Sequence, residues 1–133
     1  MEYINYDDFK KMDMRIGWIR FVEPIEGTDK LLRFEIDFGA LDEDFINSED
    51  YQPAFGKEAY RGRDVRQIVS GIREYFPQCE ALIGKKALYI LNLEPRKIRG
   101  VMSYGMLMAV DGIDGKPVFL IPEGVVEAGS RLR

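Results

Sequence analysis

The chain contains no histidine and one cysteine, Cys79. Without imidazole it cannot build a Cys–His nucleophile, and no His- or Cys-based zinc site can be assembled. A lone thiol forms no internal disulfide, which fits a reducing compartment. No phosphate-binding P-loop run is present, and no apolar run approaches the roughly 18 residues a membrane span needs. The N-terminus is polar and charged (Glu2, Asn5, Asp7, Asp8), unlike a signal peptide. Paired carboxylates such as Asp42 and Asp44 lie in an irregular stretch, where acid/base geometry is not held. These absences predict a soluble cytoplasmic protein that is not an enzyme, with no cofactor and no metal.

At 133 residues, with 46% apolar and 32% charged side chains, the expectation is one globular domain, residues 1–133. The formal charge is −4, but it is unevenly spread. Residues 40–60 carry Asp42, Glu43, Asp44, Glu49, Asp50 and Glu58 against Lys57, a net of −5, which leaves +1 for the remainder. Residues 85–100 carry Lys85, Lys86, Arg96, Lys97 and Arg99 against Glu94, a net of +4. Screening confines each charge to about 10 Å at 0.1 M salt, so a basic patch can attract phosphate on an acidic protein.

Asn5 followed by Asp8 predicts an N-capped helix over Tyr6–Met12. Met14–Val22 reads as a strand, with Gly17 marking a bulge or bend. Glu23–Asp29 is a turn. Leu32–Phe38 alternates apolar and charged residues without exception, predicting one buried and one wet face. Gly39–Asp64 lacks a period and holds Pro53, Gly56 and Gly62, so it reads as a long acidic loop. Further strands follow at Arg66–Ile72, Lys86–Leu93 (apolar on both faces, hence central or covered), Gly105–Val110 and Val118–Ile121. Short strands curled by glycines, with little helix, indicate an all-β small barrel.

Pro95 to Met106 is the chemically suggestive stretch. Arg96, Lys97 and Arg99 lie within four positions, hemmed by Pro95, Gly100 and Gly105. Cations on a folded edge, beside Ser103 and the soft apolar Met106, suit a phosphate backbone with accessible bases. The same run is also compatible with a solvated turn. Asn92, polar inside an apolar strand, either satisfies a neighbouring loop or faces a groove.

Several ordered segments resemble the tRNA-binding domain family. They are Phe9–Gly17, Thr28–Leu31, Arg66–Ile72, Asn92–Lys97, Ser103–Leu107 and the tail Leu120–Glu123 through Gly129-Ser130. The family includes C-terminal appendices of methionyl-tRNA synthetases, synthetase cofactors and free-standing proteins. The resemblance implies a five-stranded OB-fold β-barrel with a short N-terminal helix and a C-terminal strand extension. It further implies a homodimer that holds the outer corner of folded tRNA by shape. On this reading Arg96, Lys97 and Arg99 neutralise phosphates, Asn92 and Ser103 bond sugar or backbone oxygens, Met106 packs on a base or ribose, and Lys30 reaches the same groove. Tyr60, Arg61 and Arg63 extend that surface or belong to a solvated loop. Two places depart from the family pattern: Met102 stands where an acid commonly precedes the serine, and 40–64 replaces a short turn. Rival readings are an export-linked, chaperone-like homodimer that binds unfolded polypeptide, and a scaffold docking on an aminoacyl-tRNA synthetase.

Overall fold

The computed structural model describes residues 1–54 and 57–133; Gly56, one of the breakers of the acidic loop, lies outside the described residues. The helix α1 spans Tyr6–Lys10, and the Asn5 side chain accepts from the Asp8 N–H at 2.8 Å, the predicted cap. It stops two residues short of the prediction, where the Asn92 amide donates to the Lys11 carbonyl and the chain turns into the first strand.

Eight strands follow among the described residues: β1 (Met14–Pro24), β2 (Leu32–Ala40), β3 (Arg63–Ser70), β4 (Lys86–Ile90), β5 (Arg96–Ile98), β6 (Val101–Ser103), β7 (Met106–Asp111) and β8 (Pro117–Phe119). The main sheet runs β3-β2-β1-β4-β7-β8, and β5-β6 is a separate hairpin. The architecture is the OB-type fold expected: β1, β2, β3, β4 and β7 supply the five barrel strands, and β8 with the tail extends them. The core comprises Ile19, Phe34, Ile36, Ile68 and Tyr89 among others, all without solvent exposure. Each such side chain contributes roughly 1.5–3 kcal/mol of burial. Tyr89 meets Phe38 edge-on at 5.3 Å.

β4 lies between β1 and β7 and is buried on both faces. Ala87 and Tyr89 enter the barrel, while Leu88 and Ile90 form a second cluster with Met14 under Phe9 and Met12. That is why its sequence lacks alternation.

Gly17 does not bulge. It pairs in register with Ala87, and a Cβ there would meet Ile36 Cγ2 at 2.5 Å and Phe38 Cε1 at 2.6 Å. Its role is to leave room for those two core side chains; the register shift falls between Ile19 and Phe21 instead.

The ladder is open between β3 and β7 among the described residues, and the seam is bridged by other bonds. Tyr104 donates its backbone N–H to the Gln67 carbonyl (2.9 Å). Gln67 Nε2 donates to the Met102 carbonyl (2.8 Å), and the Val69 N–H donates to Ser103 Oγ (3.0 Å). On the opposite side the tail completes β1: Ile16 donates to the Ser130 carbonyl, and Gly129 and Leu132 donate to the Ile16 and Met14 carbonyls.

The alternation of Leu32–Phe38 misled in one respect. Its second face is not wet: the Glu35 and Asp37 side chains have no exposure. The 40–64 segment causes this. It is not a featureless loop, since it forms the helix α2 (Glu43–Ile46), capped by Asp42, and a 3₁₀ turn at Glu58–Tyr60 that returns across β2. Lys57 Nζ donates to both Glu35 oxygens (2.7 and 3.0 Å), and Arg33 Nη2 to one (2.7 Å). Arg20 and Arg63 both donate to Asp37 Oδ2 at 2.7 Å, and the Gly39 N–H donates to Oδ1. Burial alone would raise both carboxyl pKa values, but these donors more than offset it and hold both below the usual carboxylate range. The Tyr60 hydroxyl, buried against Glu35, is pushed up to about 12. Tyr60 and Arg63 are thus engaged with buried acids and do not extend a binding surface.

Two outcomes follow from this packing. A Cβ on Gly129, at φ +86°, would sit 1.9 Å from the Phe38 carbonyl oxygen, so Gly129→Ala should cost more than about 2 kcal/mol in urea unfolding. Gly124→Ala, with open space around it, should change stability by less than about 0.5 kcal/mol. Because both carboxyl groups have folded pKa values below their ordinary 4.5 and 3.8, their stabilisation is complete above those values. It is lost as pH falls through the folded values. Through these two groups the unfolding free energy should therefore decline on the acid side, and Lys57→Met, which removes a donor that lowers the folded pKa of Glu35, should make that decline smaller.

Candidate nucleic-acid interface

The segment Pro95–Gly105 stands off the barrel as the β5-β6 hairpin. Arg96 pairs with Ser103, Lys97 with Met102 and Ile98 with Val101, leaving Arg99-Gly100 as a two-residue turn. Both turn residues have positive φ, 51° and 83°, the combination of the type I′ turn that suits strand twist. Gly100 adopts this freely. Arg99 adopts it at a cost of about 1 kcal/mol. Its guanidinium Nη2 donates to the Gly27 carbonyl at 3.1 Å, tying the hairpin tip to the β1-β2 loop.

That tie places Lys30 beside Arg99. Gly27 to Leu31 and Arg99 line one surface cleft of about 360 Å³. Two loops distant in sequence therefore present cations to the same space. Arg96, Lys97, Arg99 and Lys30 are all exposed and, among the described residues, form no salt bridge. Elsewhere the cations are mostly spoken for: Arg15, Arg20, Arg33, Lys57, Arg63 and Arg66 each hold a carboxylate within 3.1 Å. Four of these paired cations, Arg20, Arg33, Lys57 and Arg63, hold the two buried acids of β2, whereas the hairpin and its neighbouring loop carry a cluster of unpaired ones.

Met106 is 47% exposed at the start of β7. Ser103 is a correction. It is 5% exposed, and its hydroxyl accepts from the Val69 N–H and donates to the Gly105 carbonyl (3.0 Å each), so its one proton is committed inside the fold. Asn92 is at the surface, yet its amide is engaged on both sides: Oδ1 accepts from the Asp13 N–H (2.8 Å) and Nδ2 donates to the Lys11 carbonyl (2.5 Å). It fastens the exit of α1 to the end of β4, the structural alternative the sequence left open. Met102, in place of an acid, leaves the motif loop ordered, because Gln67 holds its carbonyl.

One residue without a predicted role stands out. Tyr104, between the buried Ser103 and Gly105, is 42% exposed. Gly105 itself is obligatory, since at φ +151° a Cβ would lie 2.9 Å from the Ile90 carbonyl oxygen. In sequence Tyr104 occupies the spacer of a motif, and the only signal was an aromatic within a basic run.

Comparison with known proteins adds an independent line. The family model described as "Putative tRNA binding domain" matches residues 56–131. The methionine–tRNA ligase of Parabacteroides distasonis is 34% identical over 132 residues, 99% of this chain but 16% of that enzyme. The chain thus spans a small part of the curated relatives it matches. Among solved structures, a MetRS-related protein from Pyrococcus horikoshii superposes with a TM-score of 0.73 at 34% identity, covering 100% of both chains. The CsaA chaperone protein of Picrophilus torridus gives 0.71 at 26% identity, covering 98% of this chain and 100% of that one.

Proposed function

The chain belongs to the tRNA-binding domain family, and from that membership we propose that it is a non-catalytic cytoplasmic protein that holds folded tRNA. The unpaired cations of the hairpin and the β1-β2 loop carry this reading. Folded RNA offers phosphates and 2′-hydroxyls more than readable base edges, so the ligand is selected by shape. OB-folds use the loops after their first and fourth strands for such contacts. Here those loops are the ones joined by the Arg99–Gly27 bond. Arg96, Lys97, Arg99 and Lys30 meet phosphates, and Met106 offers an apolar contact to ribose or base. Asn92 and Ser103 act behind the surface, holding its supports. An arginine kept in a strained conformation at an exposed tip, where asparagine or glycine would be relaxed, is best explained by a ligand.

A second reading, binding of unfolded polypeptide, has one feature in its favour. Phe76, Leu82, Val118, Phe119 and Ile121 line an apolar cleft of about 710 Å³ beside β8. The two readings separate in one salt series with bulk tRNA and unfolded polypeptide. Phosphate contact predicts a preference for tRNA with affinity falling steeply as salt rises. Arg96→Ala with Lys97→Ala should weaken binding to all tRNAs alike and make the salt slope shallower by about one to two. Arg99→Asn should weaken binding while leaving stability equal or slightly higher. Unchanged affinity and slope in the double variant would remove the hairpin from the site, and salt-insensitive polypeptide binding would favour the second reading.

A homodimer belongs to the same proposal, supported by exposed Tyr3, Ile4 and Tyr6 beside the start of the barrel. Sedimentation equilibrium should return twice the 15.4 kDa chain mass. A monomer at micromolar concentration would refute it.

A further inference from the structure

The acidic 40–64 segment does more than cover β2. Before its return across β2, Gln52, Pro53 and Ala54 approach Tyr104, and with Arg66 and Gln67 they enclose a cleft of about 390 Å³. The Tyr104 ring is exposed, but its mounting is fixed. Its N–H is held by the Gln67 carbonyl, Ser103 before it is buried, and Gly105 after it has no room for a side chain. A ring presented from a fixed backbone loses little conformational freedom on contact.

The Arg66 and Gln67 side chains beside the ring are already engaged. Gln67 Nε2 bonds the Met102 carbonyl and its Oε1 accepts from Arg33, while Arg66 bonds Asp64 and the Leu91 carbonyl. The cleft therefore offers an aromatic face and the apolar side of Pro53 and Ala54, with little left to read a base edge. Beside it, Arg96 stands opposite Ser103 in the hairpin register, one residue from the ring, and is unpaired among the described residues. An aromatic face next to unpaired cations is the arrangement on which bases stack while the backbone is neutralised.

We propose that Tyr104 is a stacking platform for one unpaired nucleobase, walled by Gln52–Ala54, and that it makes the hairpin prefer RNA in which an unstacked base adjoins a paired corner. This rests on the reading of the hairpin as a phosphate-binding surface, and it adds a ligand feature that cations alone cannot select. Stacking tolerates every base, so the preference is for an extruded base and not for a sequence.

The test uses the whole protein, an RNA hairpin carrying one extruded 2-aminopurine, and a fully paired RNA of the same length. With the unaltered chain and with Tyr104→Phe, 2-aminopurine fluorescence should be quenched on binding, and the extruded-base RNA should bind more tightly than the paired one. Tyr104→Ala should abolish the quench and weaken the extruded-base RNA about 5- to 100-fold. Its affinity for paired RNA, its salt slope and its thermal midpoint should stay as they were. Equal affinity of Tyr104→Ala and the unaltered chain for the extruded-base RNA would overturn the inference while leaving the hairpin reading intact. Equal loss on both RNAs would overturn it too, by showing that the ring acts only through the fold. If the unaltered chain binds neither RNA nor tRNA at low salt, the hairpin reading fails first and the platform with it.

Discussion

A barrel must close a sheet on itself, and in this protein a serine makes one of the three bonds that bridge the seam. Ser103 Oγ accepts from the Val69 N–H that a strand partner would otherwise satisfy, and donates its O–H to the Gly105 carbonyl. A buried N–H left unpaired would cost on the order of 1–3 kcal/mol, so this hydroxyl substitutes for a missing rung of the ladder. Everything chemically interesting hangs from that rung. The hairpin leaves the barrel immediately before it, Tyr104 follows it, and Met106 begins the next strand. A functional surface on a loop is only as well placed as its anchor, and here the anchor is inside the wall of the barrel.

The second organising fact is how the cations are divided. Glu35 and Asp37 sit under the acidic segment with no exposure and take Arg20, Arg33, Lys57 and Arg63 as partners. Removing one of these partners would leave a buried carboxylate short of a donor, so those cations are committed to the fold. The hairpin and the β1-β2 loop keep theirs uncommitted. A net charge of −4 therefore says little about what the protein attracts, because much of the basic charge that could have masked the acids is neutralised locally. The field near the hairpin is set by cations that hold no carboxylate among the described residues.

Much of this was legible from residue order, and the failures have physical causes. The cap at Asn5, the doubly buried β4 and the glycine-curled barrel all follow from local rules that tertiary packing did not override. The alternation of Leu32–Phe38 located β2 correctly but implied water on its charged face. Periodicity reports which residues share a face and is silent about what lies on it, and a segment bearing Lys57 and Arg63 covers this one. In the same way a polar residue in a motif can serve by touching a ligand or by holding what touches it. Asn92 and Ser103 are both bonded within the fold, to partners 79 and 34 positions away that residue order does not reveal. Tyr104 escaped notice because exposure is a property of the folded chain.

The pairing of β1 has a consequence for how the molecule comes into being. Its first residues, Met14 and Ile16, find their outer hydrogen-bond partners at Ser130 and Leu132, and Gly129 lodges against Phe38. During synthesis the strand that begins the barrel must wait for residues on the order of a hundred positions downstream, and contacts this far apart form slowly. Until they arrive, the edge of β1 is an open row of backbone donors and acceptors that another nascent chain could pair with. Keeping that edge quiet during translation is a burden the finished structure no longer shows.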